Sequence, residues 1–199
     1  MARGPNEAPD LELAEKLLFS PHGLKLEKIE ETIAERTPDF RVIQDGNLVA
    51  FCEVKSPRDD WLGNQLDTAP SGQIVGGRRN DPVFNRIARH IEKAATQFDV
   101  VNNGRMVPNI LVFVNHDRAS HYGDLLETVT GEFHTEDGAR HVTMAHLSEG
   151  RLQPKQHIDL YAWLDVATEL IQGYVVNKAS SHMKRVCKLL GIDPSKIKC

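Results

Sequence analysis

The chain has 199 residues, of which 40% are hydrophobic and 26% charged, with a formal net charge of −4. This length fits one domain and can hide about 70% of the unfolded surface, so no disulfides or structural metal are needed, and the apolar content excludes a wholly disordered chain. No apolar run approaches the ~18 residues that span a bilayer, Met1–Glu7 lacks the apolar core of a secretory signal, and Cys52, Cys187 and Cys199 form no CxxC, so a cytoplasmic location and no membrane partner are expected.

In chain order, the spacing of Leu11, Ala14, Leu17 and Leu18 predicts a helix from Asp10 to Phe19. Pro21-His22-Gly23 interrupts, and Leu26, Ile29 and Ile33 predict a second helix from Leu24 to Arg36, closed by Thr37-Pro38. Two β-rich runs follow, Asp39 to Gln44 and Leu48 to Lys55, joined by Asp45-Gly46-Asn47 as a hairpin. Residues 56–82 are rich in Gly, Pro, Asp and Asn and read as a long loop. Phe84, Ile87, Ala88, Ile91, Ala94, Ala95 and Phe98 share one stripe of an amphipathic helix over 84–98. Pro108 to Val114 reads as a buried central strand. Two further helices are expected, Leu160 to Val175 and His182 to Leu190, the latter stopped by Gly191. The order points to a single α/β domain over 1–199, a mixed central β-sheet flanked by helices. A core occupies 24–115, and 116–199 is an extension ending in two helices with a basic tail.

Charge is unevenly spread. Residues 1–35 hold eight acids against four bases, and residues 106–175 hold ten against four. The last stretch, 176–199, holds six bases (Lys178, Lys184, Arg185, Lys188, Lys196, Lys198) against Asp193 alone. Local fields of this kind, and not net charge, decide which partner is attracted.

The hairpin carries the chemistry. By parity, Phe40, Val42, Leu48, Ala50, Cys52 and Val54 form an apolar face; Asp39, Arg41, Ile43, Val49, Phe51, Glu53 and Lys55 form the other. Thirteen residues separate Asp39 from Glu53. A one-residue slip flips every side chain, so both carboxylates share a face only with an odd number of loop residues. A three-residue loop with Gly46 in a left-handed bulge position is therefore expected. Two carboxylates a few ångströms apart repel unless a cation sits between them. Hard Mg²⁺ prefers one or two carboxylates plus water and phosphate oxygens. Such an ion polarises a phosphate and helps generate a hydroxide nucleophile, while a lysine beside it orients water or neutralises developing charge.

With Pro38-Asp39, Glu53-x-Lys55, the helix 84–98 and the strand 108–114, the chain resembles the PD-(D/E)xK nuclease superfamily, the restriction-endonuclease-like fold, over about residues 24–115. The resemblance implies metal-dependent hydrolysis of phosphodiester bonds, most often in DNA, with Mg²⁺ as cofactor and Mn²⁺ as a substitute. It carries the metal ligands onto Asp39 and Glu53, with Val54 in the ligand set, and the lysine that assists the attacking water onto Lys55. A glutamate from the first helix, which many members add, is assigned to Glu30, with Glu27 as runner-up. The helix after the lysine strand often adds a basic residue or a glutamine, making Lys93 and Gln97 candidates. Backbone phosphates are natural partners of Arg78, Arg79 and Arg86. DNA is the expected partner; RNA and a homodimer are left open. The family core also has a strand before the Pro-Asp strand, for which 34–37 leave little room, and one after the lysine, for which only Gln73-Ile74-Val75 offers a signal.

Other features carry less. The nine histidines match no compact zinc spacing, Gly76-Gly77 is not followed by the Lys-Ser/Thr of a P-loop, and Cys52 reads as a small buried residue. The alternative function is a catalytically inactive nucleic-acid-binding or assembly protein of the same fold; a missing site residue would mark it, and none is missing.

Overall fold

The computed structural model describes residues 7–30, 36–57, 65, 67–74, 83–117, 120–134, 140–142 and 153–196. Arg78, Arg79 and Val75 lie outside them.

The chain opens with helix α1 (Glu7–Ala14), prolonged by a π-helical turn over Glu15–Phe19 and a 3₁₀ turn over Ser20–His22. Gly23, at φ 67°, ends it in the left-handed conformation that glycine adopts without strain. Strand β1 (Lys25–Lys28) then pairs antiparallel with β2 (Phe40–Gln44), which pairs antiparallel with β3 (Asn47–Lys55). Helix α2 (Val83–Asn102) leads to β4 (Asn109–Asn115), which lies parallel to β3. After α3 (Tyr122–Thr130) come the short strands β5 (Glu132–His134) and β6 (Arg140–Val142), which pair with each other. Strand β7 (Leu160–Asp165) joins β4 in parallel, β8 (Leu170–Val176) returns antiparallel, and helix α4 (Met183–Leu189) follows. The protein is thus an α/β protein with a six-stranded mixed sheet, ordered β1-β2-β3-β4-β7-β8, and four helices among the described residues.

Two apolar clusters lie on the two faces of this sheet. On one face Val42, Ala50, Cys52, Val54, Ile110, Val112, Leu160 and Ala162 pack with Leu18 and Phe19 after α1 and with Val186 and Cys187 of α4. On the other, Phe51, Leu111, Phe113, Tyr161 and Trp163 pack with Ile87, Ile91 and Phe98 of α2 and with Leu125 of α3. Every residue of β4 is buried, as expected of a central strand covered on both sides.

Two expected helices are strands. Residues 25–28 form β1 because Leu26 and Ile29, three apart, point to opposite faces of an extended chain; Leu26 packs in the first cluster and Ile29 in the second. The segment 160–175 is the β7–β8 hairpin. Leu160, Ala162 and Leu164 fill one cluster while Tyr161 and Trp163 fill the other, so a strand apolar on both faces mimics helical spacing. Its turn is fixed by Asp165, whose Oδ1 accepts from the Thr168 amide and hydroxyl at 2.9 Å. Among the described residues, no helix is long and apolar enough to cross a membrane.

Candidate metal centre

The β2–β3 turn has two residues, Asp45 (φ 50°) and Gly46 (φ 76°), and not the expected three. Both positive φ values suit the twist of a tight hairpin. The register is nevertheless odd where it matters. Ile43 faces Leu48 but Val42 faces Ala50, so Val49 is an extra, unpaired residue. This bulge sends Leu48 to solvent and packs Val49 against the first cluster, reversing the parity expected for these two residues. From Ala50 onward the pairs are Arg41 with Phe51 and Phe40 with Cys52; one step further the register sets Asp39 opposite Glu53.

The two acids interlock. The Asp39 amide donates to Glu53 Oε2 at 2.9 Å, and the Val54 amide donates to Asp39 Oδ2 at 2.8 Å. Lys55 Nζ donates to Glu53 Oε1 and, at 3.0 Å, to Gln97 Oε1 from α2. Gln97 Nε2 donates in turn to the Thr37 carbonyl at 2.8 Å. Helix α2 is thereby tied to both the lysine and the segment entering Asp39. Asp39, Glu53, Val54, Lys55 and Gln97, all expected from the sequence, meet at one place.

Glu53 is 1% exposed. Burial and then the adjacent Asp39 charge push its carboxyl up to about 8, against the opposing pull of Lys55 and the Asp39 amide. Cys52, on the opposite face, is held protonated by burial and by the same two carboxylates, which suits a buried structural thiol. On α2, His90 sets its ring edge-on to Phe113 at 6.3 Å. Burial, followed by the charges of Lys55, Lys93, Arg86 and Arg89, lowers His90 to about 4.

The remaining candidates distribute differently. Glu30 is exposed just beyond β1 and, among the described residues, makes no hydrogen bond or ion pair. It is not brought to the pair, because the helix expected to carry it is a strand whose next residue, Ile29, donates its amide to the Asp39 carbonyl at 2.9 Å. Glu27 faces Arg41, on the Asp39 side of the sheet. Arg86 turns to buried Asp117 at 3.4 Å, and Lys93 is exposed one turn before Gln97. Gln73 and Ile74 are exposed and belong to no strand. Sequence reasoning missed the buried Asp10, whose Oδ1 lies 2.8 Å from His116 Nε2; its signal was an acid on the apolar stripe with Ala14 and Leu18.

The donor set fits a hard divalent cation. A cation would relieve both the burial of Glu53 and its repulsion from Asp39, and each carboxylate oxygen has more than one acceptor direction. Among the described residues, no group of three or more His, Cys, Asp or Glu side chains is arranged to hold a metal ion. The chain matches no known protein-family model, no curated protein and no solved structure.

Proposed function

We propose that this protein is a Mg²⁺-dependent nuclease of the PD-(D/E)xK type with a restriction-endonuclease-like core, hydrolysing phosphodiester bonds in DNA. The observation that carries the reading is the bulge at Val49, which compensates the two-residue turn and sets Asp39 opposite Glu53 with Lys55 on the same face as Glu53. A sheet of ordinary stability needs neither the bulge nor the two interlocked acids. The order helix, strand, Pro-Asp strand, Glu-x-Lys strand, helix, strand over 7–115 supplies the strand that the resemblance asks for before Pro38-Asp39.

Asp39 and Glu53, with the Val54 carbonyl, would hold the ion. Once bound, Mg²⁺ supplies Lewis-acid polarisation of the scissile phosphate and a lowered water pKa. Lys55, held between Glu53 and Gln97, is placed to orient the attacking water and to neutralise charge growing on the phosphate. The water oxygen bonds to phosphorus, one ester P–O bond breaks, and the water proton ends on the leaving oxygen. Gln97 is a positioning residue that fixes the lysine from α2. Lys93, exposed on the same helix, suits a flanking phosphate.

The test is incubation of the protein with plasmid and single-stranded DNA in Mg²⁺, Mn²⁺ or EDTA, beside Asp39→Ala and Lys55→Ala. Cleavage that needs the metal and is lost in both variants is expected. Cleavage persisting in both variants refutes these roles, and a folded wild type that binds DNA without cutting under either metal favours the inactive binding protein.

A further inference from the structure

Helix α4 carries Lys184, Arg185 and Lys188, all exposed, and Lys178 is exposed on the turn leading into it. Among the described residues, none of the four has a carboxylate within ion-pair distance, whereas the exposed Lys16 is paired with Glu169 at 2.9 Å. Asp193, the one acid of this stretch, is engaged by the amide and hydroxyl of Ser195. Lys184 and Lys188 stand four apart and Arg185 and Lys188 three apart, so like charges share one helix face. The helix is held by burial of Val186 and Cys187, with Lys188 in its last turn, where a cation suits the helix dipole.

The placement is specific. His182 Nε2 lies 2.7 Å from the Arg105 carbonyl, and Arg185 Nη1 donates to the Met106 carbonyl at 3.3 Å. Both carbonyls precede β4, whereas Lys55 pairs with Phe113 near the strand's other end. At about 3.3 Å per residue, the basic helix stands roughly 20 Å from the metal centre along the strand direction. It packs on the sheet face opposite Glu53. No apolar side chain of α4 is fully exposed for insertion into a lipid surface, since its two central apolar residues are buried.

We propose that α4 and the turn before it form a sequence-independent anchor for the phosphate backbone of duplex nucleic acid, outside the catalytic cleft. The proposal rests on reading the substrate as nucleic acid, and it adds a second contact that the metal centre does not require. Arg185 and the three lysines neutralise phosphates and displace counterions, each contact steepening the salt dependence of binding. The guanidinium can engage a phosphate with two parallel hydrogen bonds, the ammonium groups as point charges.

The experiment compares the full chain with its Lys184→Gln/Arg185→Gln/Lys188→Gln variant, by fluorescence anisotropy on a labelled 20-base-pair duplex in EDTA from 50 to 300 mM KCl. The three charges account for a slope of log K against log salt that is shallower by roughly 2.7 in the variant, with affinity at 100 mM salt reduced at least tenfold. Cleavage rate at saturating duplex stays as in wild type, because the three side chains lie away from Asp39; loss of the Arg185 contact with the Met106 carbonyl is read separately, in the thermal midpoint of the variant. Equal slopes and affinities overturn the anchor. So does a wild type that binds polyglutamate as tightly as DNA and loses it in the variant, which assigns the surface to an acidic polypeptide. Absence of cleavage together with a variant-sensitive slope refutes the catalytic reading and leaves the anchor standing. Normal cleavage with identical slopes does the reverse.

Discussion

Asp39 and Glu53 are each other's hydrogen-bond environment: the amide of Asp39 caps one oxygen of Glu53, and the amide next to Glu53 caps one oxygen of Asp39. The main chain thus fixes both carboxylates before any ion arrives, although their charges repel. A cation binding the folded state and not the unfolded chain stabilises by RT ln(1 + [L]/Kd), about 1.4 kcal/mol at ten times the dissociation constant. For a domain of this size that is roughly 3–6 °C. Wild type should gain this in Mg²⁺ over EDTA, and Asp39→Asn and Glu53→Gln should gain nothing. Equal gains in all three proteins, read by differential scanning fluorimetry, place the ion elsewhere.

Lys55 is the cation that offsets Glu53 when no metal is present. Its removal leaves a carboxylate buried against Asp39 with only an amide in support, and breaking such a pair costs about 3 kcal/mol. Lys55→Met is therefore expected to lose that much in EDTA, and Lys55→Met/Glu53→Gln to recover most of it. Urea titrations at pH 8 measure both. A single variant as stable as wild type would show that the pair contributes nothing to the fold.

Gly173, in β8, has no room for a methyl group. A Cβ there would sit 2.6 Å from the ring of Tyr122, whose hydroxyl donates to the Tyr174 carbonyl at 2.7 Å. The ring lies flat on the strand because this position has no side chain, and it anchors the start of α3 to the sheet. Gly173→Ala should cost about 1–3 kcal/mol through forced displacement. In Gly173→Ala/Tyr122→Leu the two losses should be less than additive. Strict additivity would mean that the ring and the added methyl never meet.

His90 supplies a pH dependence independent of the carboxylates. Its folded value of about 4 lies below the ordinary 6.5, through burial first and then the cations around it. A depressed value contributes stability that is complete above pH 6.5 and is lost as pH falls from 6.5 towards 4. The thermal midpoint should drop through that window, and less so in His90→Gln, in EDTA throughout. Parallel pH profiles for the two proteins would show that His90 is not the group that titrates.

The legible parts of this chain were mostly those whose side chains obey a single period. The hairpin and helix α2 each show one, the central strand 109–115 shows instead a short unbroken apolar run, and the polar stripe of α2 held Gln97 in advance. Strand β1 was hidden because four residues give too little alternation, and its two apolar neighbours serve opposite faces. Strand β7 was hidden because burial on both faces erases alternation altogether. Which of Arg86, His90, Lys93 and Gln97 reaches the centre depends on the angle of the helix over the sheet, which no local pattern encodes. Arg86 turned away to Asp117, a residue 31 positions on.

The spacing of Asp39 and Glu53 called for an odd register but not for its place at Val49, and that place makes a prediction that the bare motif does not. Val49 is the surplus residue between Ile43–Leu48 and Val42–Ala50. Deleting it should let the hairpin close without a bulge while Ala50 still faces Val42, so that Asp39 and Glu53 keep their pairing. The cost is the packing of one half-buried valine, about 1 kcal/mol of folding stability, and metal-dependent cleavage should survive, since the pairing of the two acids is kept and the folded population is little changed. A protein lacking Val49 that folds, as judged by circular dichroism and a cooperative urea transition, but neither cuts DNA nor responds to Mg²⁺ would show that the bulge itself shapes the metal centre. In that case register alone would not explain why the two acids face each other in a competent arrangement.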